Sequence, residues 1–274
     1  MQVAFIITVY KNDSLVFFKE AIESIVKQDY GFHKINIYLG IDGLLSKNVE
    51  EYINKNSQLF HKIIKNVDNK GLAFTLNKLI ETLEKEQFVF RMDSDDVCYL
   101  DRVSKQVLFM NSNKHIQISG GSIEEFNEIG LVTMVRSFPK NTKEAKNFIF
   151  KGSIFAHPSV CFSKLFFEKG FRYNTSHQFS QDLALWFDAL ENKIDVGNIE
   201  DIILKLRVSN NFFYRRSRKK AIGEFKIYYR GIISSYGFSF KLIYPIARFI
   251  TRLLPVFFIK ILYNKGFRKI LNSK

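Results

Sequence analysis

The stretch Phe88-Val89-Phe90-Arg91-Met92-Asp93-Ser94-Asp95-Asp96 decides the fold class. Phe88–Met92 reads as a short buried strand, and it runs directly into three carboxylates within four residues. Working outward, Val3–Val9 reads as another short, fully buried strand, Ile35–Ile41 as a strand ending in Asp42-Gly43, and His61–Asn66 as a fourth. Longer amphipathic stretches separate them: Ser14–Gln28 with Ser14 as N-cap, Val49–Leu59, and Gly71–Leu83. Such β-α-β-α order predicts an α/β fold with a mostly parallel sheet flanked by helices. In that architecture ligands gather beyond the carboxyl ends of the strands. Asp42, Asn69 and the Asp93 cluster fall at or just after strand ends and are therefore expected to converge.

The 274 residues suit one large domain, or one domain with an extension. A composition 46% hydrophobic and 25% charged supports a sizeable core and excludes a disordered or collagen-like chain. With Cys98 and Cys161 alone there is no disulfide framework, which fits a reducing compartment. The first ten residues lack the basic start and cleavage site of a signal peptide, and no apolar run reaches the roughly 18–20 residues of a spanning helix. In the second half, Leu100–Met110 and Gln181–Leu190 read as helices and Ile116–Glu125 as a strand region, while Phe150–Phe162 carries His157-Pro158.

The net charge of +14 is unevenly placed. Lys205–Lys274 holds 17 Lys and Arg against one acid, Glu224, while the preceding 204 residues carry a net −2. With no repeat and no Pro- or Gly-rich linker, charge alone places the boundary between a near-neutral body, 1–210, and a basic region, 211–274. A basic tail on a near-neutral body suggests an anionic partner, either a membrane surface or nucleic acid.

Three carboxylates in four residues repel one another unless a cation offsets them. Hard divalent ions such as Mg²⁺ and Mn²⁺ prefer oxygen ligands and often share them with substrate phosphates. The alternative is a solvated turn whose aspartates cap the following helix. No G-x-x-x-x-G-K-[ST], G-x-G-x-x-G or G-x-S-x-G occurs, and His157 has no second His or Cys at zinc-ligand spacing.

Four segments, in order and spacing, resemble the family 2 inverting glycosyltransferases of GT-A fold: Ile6–Tyr10, Ile41-Asp42-Gly43, Asn69-Lys70-Gly71-Leu72-Ala73-Phe74-Thr75-Leu76-Asn77, and Arg91–Asp96. The resemblance spans roughly residues 1–210 and is similar to bacterial enzymes that build capsule, O-antigen and other surface polysaccharides. It implies that Thr8 and Tyr10 line the nucleotide pocket and that Asp42 hydrogen-bonds the nucleobase. It also implies that Asn69, Lys70 and Gly71 lie near the donor, that Asp93 sits by the ribose and metal shell, and that Asp95 ligates the metal directly. Asp96 is a further candidate in that cluster. As alternatives, Thr8 and Tyr10 are ordinary strand residues and Asn69–Gly71 an ordinary turn.

Inversion by direct displacement needs a carboxylate to take the acceptor hydroxyl proton. The resemblance places it in an Glu-Asp segment before a Leu-Trp pair, here Gln181-Asp182 before Leu185-Trp186, which makes Asp182 the base. Gln181 departs from the family glutamate. A helix-start aspartate interacting with the macrodipole is the alternative for Asp182. Arg102 resembles a recurring arginine after the metal motif, with a solvated arginine pairing with Asp101 or the cluster as the alternative. His157-Pro158 resembles a family segment near the acceptor, with a structural histidine as the alternative.

In the basic region, Lys241, Arg248 and Arg252 share one helical face and Leu242, Ile243, Ile246, Phe249, Ile250, Leu253 and Leu254 cover the rest. Such a stripe fits an in-plane membrane helix, kinked or divided at Pro245 and Pro255, with a lid packed on the catalytic body as the alternative. Taken with the resemblance, the expected enzyme moves a sugar from a UDP-sugar to a polyprenyl-diphosphate-linked glycan with a divalent metal. It would do so as a cytoplasmic enzyme, peripheral on the inner face of the membrane. A sugar nucleotidyltransferase would want a Gly-rich phosphate loop where Tyr10-Lys11-Asn12-Asp13 stands. A nucleic-acid-binding module would want basic residues within the body, which is −2, so no nucleic-acid partner is expected.

Overall fold

The computed structural model describes residues 1–208 and 218–253. The basic run at Phe212–Ser217 and the features from Leu254 onward, including Pro255 and the patch beginning at Phe257, lie outside the described residues.

The first four strands, β1 (Val3–Val9), β2 (Ile35–Asp42), β3 (Lys62–Asn66) and β4 (Phe88–Met92), are parallel and lie in the order β3-β2-β1-β4. Thr8 stands opposite Gly40, Ile7 opposite Met92 and Asp42 opposite Asn66, so the carboxyl ends of all four finish along one edge. The sheet continues through β5 (Val97–Cys98), β6 (Ile116–Asn127), β7 (Val132–Arg136), β8 (Cys161–Ser163) and β9 (Asp195–Val208). Short β8 is antiparallel to both β4 and β6, which departs from a uniformly parallel pattern; β6 then runs parallel to β9, and β5 closes onto β9.

The helices are α1 (Leu15–Val26), α2 (Lys47–Lys55), α3 (Leu72–Glu81), α4 (Arg102–Ser112), α5 (Thr142–Phe148), α6 (Lys164–Glu168), α7 (Gln181–Glu191), α8 (Arg218–Tyr236) and α9 (Ile243–Leu253). Strand alternation divides the core into two layers. Val3, Phe5, Ile7 and Val9 pack with Phe18 and Ile22 of α1 and Val103 of α4. Ala4 and Ile6 face the other way, into a layer that holds Leu76 and Leu79 of α3, Trp186 of α7 and Ile227 of α8. Trp186 is fully buried, its ring against Phe155, Phe162 and His157, so this candidate site residue belongs to the core beneath the site.

Arg102 departs from the expectation of a solvated arginine. It is fully buried against the stacked rings of Phe5 and Phe90, and its guanidinium donates to the Arg91 carbonyl (3.0 Å) and to Gln106 Oε1 (3.1 Å). Asp101 pairs instead with Lys105 (2.7 Å). A buried guanidinium has to meet fixed acceptors, and here the strand carbonyl behind the acidic loop supplies one. Arg102 is thus a strut under β4, not a solvated partner of the carboxylates.

The basic region docks on the body. α8 packs on α7 at Gly231, where a side-chain Cβ would stand 2.4 Å from the Phe187 ring, so nothing larger fits that approach. Glu224 on α8 is buried, and a buried carboxylate must be paired. Arg248 meets it at 2.7 Å, and Arg252 pairs with its other oxygen. Lys241 lies over the Tyr236 ring, 3.4 Å from its centroid. Arg248 and Arg252 of the expected basic stripe are therefore held against the body by Glu224, although Arg248 stays 41% exposed, and Phe238, Phe240, Ile243, Ile246, Ile250 and Leu253 form an exposed apolar surface beside them. Pro245 lies in the first turn of α9, where a missing N–H goes unneeded, so it starts this helix and does not divide it. Among the described residues no helix is long and apolar enough to cross a membrane.

Candidate active site

The strand ends converge as expected. Asp42, buried at the end of β2, accepts hydrogen bonds from the Lys70 N–H (2.8 Å), the Gly71 N–H (2.9 Å) and Asn66 Nδ2 (3.0 Å). Gly71 has φ +90°, a conformation that suits glycine, and from there α3 begins. Asn69 and Lys70 are exposed on this turn, and Asn69 Nδ2 approaches the Asp42 carbonyl at 3.4 Å. Asp42 thus holds the Asn69–Gly71 turn in place before it meets any ligand. Asp42→Asn puts an NH₂ where one of these N–H donors points, an unmet buried contact of about 1–3 kcal/mol. Its expected result is a lowered melting temperature by differential scanning calorimetry.

Thr8 is partly buried near the end of β1, and Tyr10 follows it, its side chain exposed and its N–H donating to Asp13 Oδ2 (3.0 Å). The same Asp13 oxygen accepts from Ser94 Oγ (2.9 Å), which ties the loop after β1 to the acidic loop after β4. Asp13 escaped the sequence reading; its signal is a turn aspartate directly after the first strand.

In the acidic loop, carboxylate oxygens of Asp93, Asp95 and Asp96 lie within 4.8 Å of one another. Burial, then repulsion from Asp93 and Asp13, pushes the Asp95 carboxyl up to about 6, and burial pushes Asp13 to about 6 as well. Asp96 is fully buried and raised well above the ordinary carboxylate range, first by burial and then by Asp93 and Asp95. It accepts the Arg207 N–H (2.8 Å), while its second oxygen has no hydrogen-bond partner. Arg207, at the end of β9, also donates to the Asp95 carbonyl (2.9 Å), stacks on Phe17 and pairs with Glu20. Three crowded carboxylates with an orphaned buried oxygen form a hard-oxygen set that fits a divalent cation.

Below the loop lies Arg91, the one charge in β4, 2% exposed and paired with Asp93. Its Nε and Nη1 have no hydrogen-bond partner, and the side chain lines a cleft of about 530 Å³. Asp93, His157, Gln181 and Asp182 line the same cleft, as does Leu72, one residue beyond Gly71. The start of α3, Asp93 of the acidic loop and the candidate base therefore border one continuous space.

Asp182 reaches the cleft through a turn of unusual geometry. Ser180 occupies the left-handed region (φ 57°, ψ 32°), and α7 starts at once with Gln181, which is buried, and Asp182 in its first turn. Burial raises the Asp182 carboxyl above its ordinary value; the Leu183 N–H and the Arg91 charge oppose the rise, and Glu224 adds to it. Burial and the nearby Arg91 hold His157 neutral, well below its usual range, and its Nε2 shares a 2.8 Å hydrogen bond with the Tyr173 hydroxyl. The far side of the cleft, supplied by Lys220, Glu224 and Tyr228 of α8 and Arg248 and Arg252 of α9, was not foreseen from sequence.

Three comparisons with known proteins agree with this geometry. Residues 5–171 match the family described as Glycosyl transferase family 2. The chain is 29% identical, over 97% of its length and 96% of the relative's, to UDP-Gal:alpha-D-GlcNAc-diphosphoundecaprenol beta-1,3-galactosyltransferase of Escherichia coli. It is 27% identical, over 95% of its length and 97% of the relative's, to the amylovoran biosynthesis glycosyltransferase AmsE of Erwinia amylovora. Its fold is similar to that of S. aureus TarS 1–349 solved with UDP-GlcNAc, with a TM-score of 0.63 at 14% identity, covering 93% of this chain and 82% of that one. Because the family match runs through β1, the Asp42 strand end and the acidic loop, the chain belongs to glycosyltransferase family 2 and is a glycosyltransferase of GT-A fold.

Proposed function

We propose that the enzyme moves a sugar, with inversion, from a UDP-sugar to a lipid-linked oligosaccharide during surface polysaccharide synthesis. The observation that carries this reading is the placement of Asp182 and Asp93 on one cleft of about 530 Å³, a carboxylate base and an acidic loop bordering the same space. The E. coli relative is named for a UDP-sugar donor and a diphosphoundecaprenol acceptor, which supports both substrate classes.

In this mechanism Asp182 accepts the proton of the acceptor hydroxyl as that oxygen attacks the anomeric carbon. The bond from that carbon to the donor diphosphate breaks, and the electron pair leaves on the nucleoside diphosphate. Asp93 and Asp95, with Asp96 behind them, would hold Mn²⁺ or Mg²⁺, which neutralises charge on the departing diphosphate. Arg91 holds Asp93 in place from beneath, and Asp42 holds the Asn69–Gly71 turn on the donor side. His157, neutral and tied to Tyr173, shapes the acceptor side. A donor panel scored by nucleotide release, with and without a lipid-linked acceptor, tests the reading. UDP-sugar turnover stimulated by such an acceptor is expected; turnover of GDP-sugars alone would overturn the donor assignment.

Membrane attachment belongs to the same proposal, with its contact surface revised. The exposed apolar face from Phe238 to Leu253 would enter the headgroup boundary, and the surplus of lysine and arginine in the basic region would favour anionic lipid on the inner face of the cell membrane. Phe240→Asp with Ile250→Asp is expected to reduce sedimentation with anionic liposomes about tenfold or more, since each change removes an inserted side chain of about 1.5–3 kcal/mol. Undiminished sedimentation would exclude this face.

A further inference from the structure

Three cations, Lys220, Arg248 and Arg252, line the α8–α9 side of the cleft with a single carboxylate, Glu224, among them. The acidic loop, where the proposed donor diphosphate would lie, borders the same cleft from another element through Asp93. The α8–α9 side lies within electrostatic reach of the base: Glu224 acts on the Asp182 carboxyl, and Arg248, Arg252 and Asp182 all act on the Tyr228 hydroxyl. A base has to adjoin the acceptor, so the cations border the acceptor half of the cleft. The same helix α9 directs Arg248 and Arg252 to Glu224 at the cleft and leaves Ile243, Ile246, Ile250 and Leu253 exposed. A ligand matched to both faces has an anionic group next to the sugar and an apolar chain beyond it.

Resting on the proposal that this cleft takes a lipid-linked acceptor, we propose that Lys220, Arg248 and Arg252 form a subsite for the acceptor's diphosphate. Guanidinium groups suit this task because their planar forks pair with phosphate oxygens in two-point contacts. Glu224 pre-positions both arginines in the ligand-free enzyme. The enzyme would then select its acceptor by the charged linkage as well as by the terminal sugar.

Calorimetry on the full chain with decyl diphosphate, a sugar-free probe, tests the subsite in the presence of saturating UDP and Mn²⁺. Binding alongside UDP is expected, and R248Q/R252Q should weaken it about tenfold or more, the equivalent of about 1.4 kcal/mol or above. Because those changes leave Glu224 buried without its arginines, K220Q and the triple change E224Q/R248Q/R252Q are measured in parallel with circular dichroism, and both should also weaken the probe. Equal binding by folded variants overturns the subsite, as does displacement of the probe by UDP, which would assign the cations to the donor. UDP affinity is read from the same samples. A chain that binds UDP but not decyl diphosphate loses the subsite and keeps its donor assignment, while the reverse result loses the donor assignment and keeps the subsite.

Discussion

Asp182→Asn is expected to fold as the parent does and to lose transfer by roughly 10²–10⁴-fold, the range for a positioned general base. The amide keeps the shape and the place in the first turn of α7, so the Gln181 and Ser180 geometry around it is retained. What it lacks is a basic oxygen. A purely structural aspartate at a helix start would instead contribute a few tenths to 1 kcal/mol of stability through the macrodipole and leave turnover intact. The two roles also part in their pH dependence. The base works ionised, and burial raises its carboxyl above the ordinary 3.8, so kcat should fall as pH drops through that raised value. For stability the sign is opposite. A carboxyl raised in the folded state contributes stability that is complete below about pH 4 and is lost as pH rises through the folded value. At neutral pH the ionised Asp182 is therefore unfavourable to folding, and the Asn variant should melt no lower than the parent. Retained UDP release by a folded Asp182→Asn enzyme would remove Asp182 from the mechanism.

Asp95→Asn, or chelation of the wild type with EDTA, is the second large effect. Loss of a metal that neutralises a leaving diphosphate removes several kcal/mol of transition-state stabilisation, or about 10²-fold and more in rate. Excess Mn²⁺ should restore the chelated enzyme fully and Asp95→Asn only in part. Metal binding is visible without turnover: crowded Asp93, Asp95 and Asp96 repel one another in the free protein, so Mn²⁺ should raise the parent's melting temperature. Asp95→Asn should blunt that rise. An Asp95→Asn enzyme with full activity and the parent's Mn²⁺ response would leave the acidic loop as a structural turn.

The parallel half of the fold was legible because three of its four strands, β1, β2 and β4, are buried on both faces. Val3–Val9 and Phe88–Met92 were bounded correctly from their apolar runs alone. The strand-end argument then brought Asp42, the Asn69 turn and the Asp93 cluster to one edge without further information. Asp195–Val208 was missed because Glu200, Asp201, Lys205 and Arg207 interrupt its apolar residues, and its pairing with β6 is irregular between Gly121 and Ile123. The helix Arg218–Tyr236 was missed for a related reason: basic residues at its start hide an apolar face formed by Ala221, Ile227, Tyr228 and Ile232. Arg91 was given no role from sequence, although a lone charge in a buried run was the clue that it serves the loop after it. The pairing of Arg248 and Arg252 depends on a buried glutamate on another helix, and no local pattern around α9 reports that.

The seat of Gly231 against Phe187 joins α8 to α7, the helix that carries Asp182, and it bears on how new specificities could arise in this enzyme. In the proposed mechanism donor recognition is assembled before residue 100, on β1, β2 and β4, whereas Asp182 and the proposed cationic wall travel together on α7, α8 and α9. Recombination between related chains should therefore be tolerated when the crossover falls between those two groups, as in the exposed turn joining β6 to β7. A crossover within Glu191–Arg218 would instead place a foreign helix over Phe187. There even one added methyl at the Gly231 position would push the wall away from Asp182, and the hybrid would keep its donor while losing its acceptor.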